Sequence, residues 1–143
     1  MIEKKIFTPF HKKTKRKYLE RMLDNKIHCM DKARKFEKEY WDGPRRYGYG
    51  GYKYIKDLQA PIAKKIINEY NLNNKSRILD AGCGKGFLLY EIKKLLPNVQ
   101  IYGFDISKYG LKNSKKEVKK YLRFGDVRKK FKFKNNFFDL VIS

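Results

Sequence analysis

Three glycines at positions 82, 84 and 86 stand between a short apolar run and a run of helical period. Arg77-Ile78-Leu79-Asp80-Ala81 reads as a strand, and Phe87 to Leu96 repeats Leu88, Ile92, Leu95 and Leu96 at helical spacing until Pro97 ends it. Glycines in the turn between them let the backbone pass close to a ligand without side-chain obstruction. The spacing is G-x-G-x-G, unlike the G-x-G-x-x-G of dinucleotide sites. Gly86 is followed by Phe87-Leu88, so the G-K-[ST] of a phosphate-binding loop is absent.

The rest of this half repeats the alternation. Gln100 to Phe104 forms a second strand, Ser107 caps a helix expected to run to about Lys120, Tyr121 to Phe124 is a third strand, and Phe138 to Ser143 a fourth. An amphipathic helix from Asp57 to Tyr70, with Leu58, Ile62, Ile66, Ile67 and Tyr70 on one face, leads in. Such alternation predicts an α/β fold with a parallel sheet. Asp80, Asp105 and Asp126 all fall at the C-terminal ends of strands, the edge where open α/β sheets bind ligands. Each alone is a common turn former or helix cap; their joint placement points to a site.

Residues 1–56 differ in character. Leu19, Met22, Leu23, Ile27, Met30, Ala33, Phe36 and Tyr40 recur at helical spacing in a basic arm, as a helix covering its own domain or one meeting a partner or membrane surface. Asp42 to Tyr54 carries four tyrosines, two arginines, glycines and a proline, which fits a lid over a ligand or a surface loop packed back on the domain. The net charge of +21 would draw nucleic acid if it formed one patch, but the 28 lysines against 8 arginines fit a solvated lysine surface better. Cys29 and Cys83 have no metal-ligand spacing, and His11 and His28 lack partners, so no metal is expected. No apolar run spans a bilayer, and Met1-Ile2-Glu3-Lys4-Lys5 does not begin a secretion signal, which reads as cytoplasmic.

Asp80-Ala81-Gly82-Cys83-Gly84-Lys85-Gly86 resembles the D-x-G-C-G-x-G motif of class I S-adenosylmethionine-dependent methyltransferases. Asp105 resembles that family's ribose-binding acid, Gly125-Asp126 its adenine-site pair, and Phe138-Asp139-Leu140-Val141-Ile142 its fourth strand. The resemblance covers roughly residues 58–143. Upstream, Tyr40-Trp41-Asp42-Gly43 and Tyr47-Gly48-Tyr49-Gly50-Gly51-Tyr52 look like a bacterial subgroup found among surface-polysaccharide genes.

The resemblance implies a Rossmann-like parallel sheet of the class I methyltransferase fold, cut after strand 4, with an N-terminal helical extension. Residues 1–56 would be the arm and Gly/Tyr loop, and 57–143 a partial cofactor-binding domain. It implies that Gly82, Cys83, Gly84 and Gly86 pass beneath the methionine part of S-adenosylmethionine with Asp80 near its amino group. Asp105 would hold the ribose, Ile106 the adenine face, Asp126 the exocyclic amine, and the Val127 N–H a ring nitrogen. No catalytic base is named. The acceptor is expected to be a small molecule or saccharide. The competing readings are an RNA methyltransferase, a non-catalytic cofactor-binding remnant and a nicotinamide-dependent dehydrogenase. The glycine spacing and Asp80 count against the last.

Overall fold

The computed structural model describes Ile6 and residues 18–143, so Met1–Lys5 and His11 lie outside the described residues. Its elements in chain order are α1 (Tyr18–Leu23), α2 (Lys26–Ala33), α3 (Lys38–Trp41), α4 (Ala60–Glu69), β1 (Arg77–Ala81), α5 (Phe87–Leu95), β2 (Gln100–Asp105), α6 (Lys108–Lys112), a single 3-10 turn (Lys119–Tyr121), β3 (Leu122–Phe124) and β4 (Leu140–Ile142).

The four strands form one parallel sheet in the order β3-β2-β1-β4, with Ile78 opposite Ile101 and Leu140, and Gly103 opposite Leu122. This is the Rossmann-like arrangement expected of the alternating strands and helices. Strand residues alternate between faces. Ile78 and Ile101 join Ile62, Ala63 and Ile66 of α4, Leu89 and Ile92 of α5, and Val99, Val118 and Leu122 in one buried cluster. The opposite face carries Tyr102 and Phe104. Phe131, Phe133, Phe137 and Phe138, from the chain between β3 and β4, pack against them with ring centroids 4.7–5.9 Å apart.

Three expectations from the sequence need correction. The helix after Ser107 stops at Lys112 rather than near Lys120. The Asn113 side chain donates to the Tyr109 carbonyl and Ser114 Oγ to that of Leu111, competing with the helical ladder. The chain then turns back, so that the Lys115 N–H donates to the Lys85 carbonyl. The fourth strand is also shorter, Leu140–Ile142, because Phe138 is drawn onto Tyr102 and the Asp139 carboxylate accepts from the Arg77 N–H.

The apolar stripe of the arm is not one helix. Asn25 (φ 39°) and Phe36 (φ 51°) take left-handed backbone and divide it into three. Leu19, Met22, Leu23 and Ile27 remain exposed, whereas Cys29 and Trp41 are buried. Ile6 also packs against the core cluster of the domain. No helix among the described residues is long and apolar enough to cross a membrane.

Candidate cofactor site

The glycine turn follows β1 as expected, and hydrogen bonds from the Gly82 and Cys83 N–H groups to the Phe104 carbonyl tie it to β2. Gly82 has φ +101°, and a Cβ there would meet nothing within 4 Å, so this backbone borders open space. Gly86, at φ +72°, is the N-cap of α5. Cys83 points its side chain into the hydrophobic cluster, and burial, followed by the charges of Asp80 and Asp105, pushes its thiol well above the usual range. It is inert packing, not a nucleophile.

Asp105 braces the turn. One carboxylate oxygen accepts from the Gly84 N–H at 2.7 Å, and the other from the Ser107 N–H at 2.7 Å. A carboxylate offers more than two acceptor positions, so this bracing leaves capacity for a ligand's hydroxyls. Asp80 is buried beside it, and among the described residues nothing donates to its carboxylate. Burial, with the charge of Asp105, pushes Asp80 up to about 7.

A cavity of about 580 Å³ opens at these strand ends. Gly82, Asp105, Ile106, Asp126 and Val127 line it together. Asp80, Cys83, Gly84 and Gly86 do not line it. Asp126 is not free: Arg128 grips it through its Nε and terminal nitrogen at 2.7–3.2 Å, and these bonds hold its carboxyl down to about 2.

Most of the rest of the wall was not foreseen from the sequence. Arg34, Phe36, Tyr40 and Trp41, from the arm, line the same cavity, with Tyr49 from the Gly/Tyr loop, one of the two placements its sequence allowed. Trp41 Nε1 donates to Ser107 Oγ at 2.7 Å and to the Phe36 carbonyl at 3.0 Å, while Ser107 Oγ also caps α6 by accepting from the Gly110 N–H. The indole lies against Gly84 and Gly110. A Cβ on Gly84 would come within 2.7 Å of it and one on Gly110 within 3.2 Å, so the two glycines make its seat. The sequence signal was available in Gly110, a helix-weakening residue with no other use.

Lys85 is the second unforeseen contact. Its ammonium is buried within the turn and donates to both carboxylate oxygens of Asp42 and to the Tyr52 carbonyl, each at 2.8 Å. Asp42 also accepts from the Tyr109 hydroxyl and the Tyr52 N–H. Most of the Gly/Tyr loop therefore packs back on the domain: Tyr52 stacks on Phe87 at 5.0 Å, and the Tyr54 hydroxyl donates to Glu91. Tyr49 alone of its four tyrosines stands at the cavity.

Asp80 is expected to make binding of a cationic ligand pH-dependent. Its folded value near 7 lies above the ordinary 3.8, so its contribution to stability is fully present below pH 4 and lost as pH rises through about 7. A cationic ligand needs the ionised form. Its affinity is expected to rise close to tenfold per unit from roughly pH 5.5 to 6.5 and to level off above 7, with proton release on binding at the lower pH. Calorimetry in buffers of different ionisation enthalpy measures both; a flat profile would separate Asp80 from the ligand.

Comparison with known proteins gives the chain relatives. A family model described as "Methyltransferase domain" matches residues 72–143. The malonyl-[acyl-carrier protein] O-methyltransferase of Legionella pneumophila subsp. pneumophila is 31% identical over 97 residues, covering 64% of this chain. This chain covers 34% of that enzyme's length. Among solved structures, coclaurine N-methyltransferase bound to N-methylheliamine and SAH superposes with a TM-score of 0.50 at 11% identity, over 95% of this chain and 45% of that one. The MccD protein superposes with a TM-score of 0.47 at 27% identity, over 55% of this chain and 37% of that one.

Proposed function

Since the chain belongs to the methyltransferase-domain family, we propose that it binds S-adenosylmethionine in the cavity at the strand ends and presents the donor's methyl to a small-molecule or saccharide acceptor. S-adenosylmethionine is the cofactor that this membership implies. The single observation that carries the reading is the meeting of Gly82, Asp105, Ile106, Asp126 and Val127 on one cavity, with the buried Asp80 near Asp105.

The residues fit the cofactor. Asp80 supplies a counter-charge for its amino group, and the open backbone at Gly82 leaves room for its chain. Asp105 accepts from the ribose hydroxyls, Ile106 offers apolar surface to the base, the Val127 N–H meets a ring nitrogen, and Asp126 accepts from the exocyclic amine alongside Arg128. When bound, the cofactor supplies a methyl already activated by a sulfonium centre, so the protein's task is alignment and exclusion of water. The arm serves the second need. Phe36, Tyr40, Trp41 and Tyr49 wall the cavity with rings. Burial first, then Tyr49 and the charge of Asp105, push the Tyr40 hydroxyl up to about 12, so it remains a donor and does not act as a general base.

Aromatic walls also favour the proposed acceptor, since sugar rings and small cyclic compounds stack on such surfaces. A location in the cytoplasm belongs to the same proposal. The residues 1–56 read from the sequence as a separate segment are here proposed to act as the wall and cover of the 57–143 domain.

Titration by calorimetry with S-adenosylmethionine, S-adenosylhomocysteine and NADH tests the cofactor reading. Both adenosyl ligands are expected to bind and NADH not. Asp105→Ala removes a charge-assisted acceptor and is expected to weaken adenosyl binding by at least tenfold. Circular dichroism accompanies it, because Asp105 also braces Gly84 and Ser107. Tighter binding of NADH than of either adenosyl ligand would defeat the proposal.

A further inference from the structure

The positive charge is not spread evenly over the chain. Residues 108–134 hold twelve Lys and Arg against two acidic residues, so +10 of the chain's net +21 falls on under a fifth of its length. Both acids are already answered, Asp126 by Arg128 at 2.7 Å and Glu117 by Lys115 at 3.4 Å. Among the described residues, no other cation of the stretch forms an ion pair.

The fold gathers this charge on one margin. There α6, the 3-10 turn and β3 follow one another, and β3 is an edge strand of the sheet. Lys108 reaches over the Phe124 ring at 5.5 Å, the Lys119 ammonium donates to the Lys112 carbonyl, and Arg123 donates to that of Lys120. A second cavity, of about 510 Å³, continues the run. Lys93, Lys120 and Arg123 line it beside Tyr121 and Phe133, and among the described residues no acid does. Phe133 stands between Lys132 and Lys134, both exposed.

The chemistry of the margin selects its occupant. A protein partner needs an apolar centre to its interface, and Phe124 and Val127, each 57% exposed, are the large apolar side chains this stretch leaves open. Lysine is a compact point charge that neutralises phosphates without reading bases. An unpaired base can stack on an exposed ring such as Phe124.

We propose that the β3 margin binds the phosphodiester backbone of a single nucleic-acid strand, without regard to its sequence. The surface does not depend on the cofactor reading, since no lysine lines the strand-end cavity.

Fluorescence anisotropy of labelled oligouridylate and oligothymidylate, about 16 nucleotides long, tests this on the full chain. Both are expected to bind in about 50 mM salt and to lose affinity steeply as salt rises. Lys108→Gln, Lys112→Gln and Lys120→Gln together take three charges from the margin. The triple variant is expected to bind at least tenfold more weakly, with the slope of log affinity against log salt reduced by about 2. Lys56→Gln, Lys64→Gln and Lys75→Gln remove the same charge from exposed positions before β1. That triple is expected to change affinity less than about twofold, because salt screens distant charges. Lysine acetylation of wild-type protein, read by mass spectrometry, secures the test should a variant not fold. The strand is expected to protect Lys108, Lys112 and Lys120 and to leave Lys56, Lys64 and Lys75 reactive. Equal loss in the two triples, or protection spread over all six lysines, would overturn the site and leave the charge as a diffuse surface. Tighter binding of a poly-glutamate peptide of equal charge would overturn the choice of nucleic acid and give the margin to an acidic protein.

Discussion

Trp41→Ala is expected to lower stability by about 3–5 kcal/mol, the usual cost of deleting a large buried aromatic side chain, and to weaken adenosyl-ligand binding more than tenfold. The indole is 5% exposed and fills the space above Gly84 and beside Gly110, so its loss leaves a cavity that backbone on both sides cannot readily close. It also removes the donor shared by Ser107 Oγ and the Phe36 carbonyl, uncoupling the arm from the start of α6. The binding loss follows because Trp41 is a wall of the cavity and seats Tyr40 and Tyr49, whose centroids lie 5.1 and 5.4 Å from its own. Trp41→Phe keeps much of the volume but not the N–H, and is expected to cost only about 1–2 kcal/mol. Urea unfolding followed by circular dichroism, with calorimetric titration of S-adenosylhomocysteine, measures both effects. A Trp41→Ala protein with wild-type stability would mean that the arm does not hold the turn.

The cofactor half of the site was legible because it is local. A strand, three glycines and a helix are contiguous in sequence, and Asp105 and Asp126 announce themselves by following short apolar strands. The four strands were legible too, β1 with its observed bounds and the later strands within a few residues of theirs. What could not be read is non-local. Lys85 stands at a variable place in the motif and gives no sign that its partner is Asp42, 43 positions earlier. Trp41 reads as a stray aromatic until Gly84 and Gly110 are brought beneath it. The phenylalanines between β3 and β4 look like a loop, yet they do the work of a helix on the second face of the sheet. Helical periodicity misled in the arm, because spacing alone does not record Asn25 and Phe36 leaving helical backbone.

Lys85→Met is expected to cost about 3 kcal/mol, toward the lower end of what breaking a buried ion pair costs. The lysine side chain is 6% exposed and that of Asp42 23%, so the abandoned carboxylate regains some water. Asp42 would keep the Tyr109 hydroxyl and the Tyr52 N–H as donors but lose the one charge that answers its own. In the native chain burial raises the Asp42 carboxyl, but hydrogen bonds from Lys85 and Tyr109 and the lysine's charge outweigh it and leave the group below its ordinary 3.8. A lowered folded value means that the pair stabilises above pH 4 and the contribution is lost as pH falls below it. The variant is therefore expected to melt roughly 10 °C lower at pH 7, with the gap from wild type narrowing toward pH 3. Combining Lys85→Met with Asp42→Leu removes both charges and is expected to recover part of the loss, because apolar replacement of a buried pair is often close to neutral. Adenosyl binding should weaken in the single variant as well, since the same contact anchors the turn to the chain that carries Trp41 and Tyr49. Melting curves at pH 3, 5 and 7 for the two singles and the double give the coupling directly. If the double variant were no more stable than Lys85→Met alone, the ammonium's bond to the Tyr52 carbonyl, rather than the ion pair, would be what holds the arm in place.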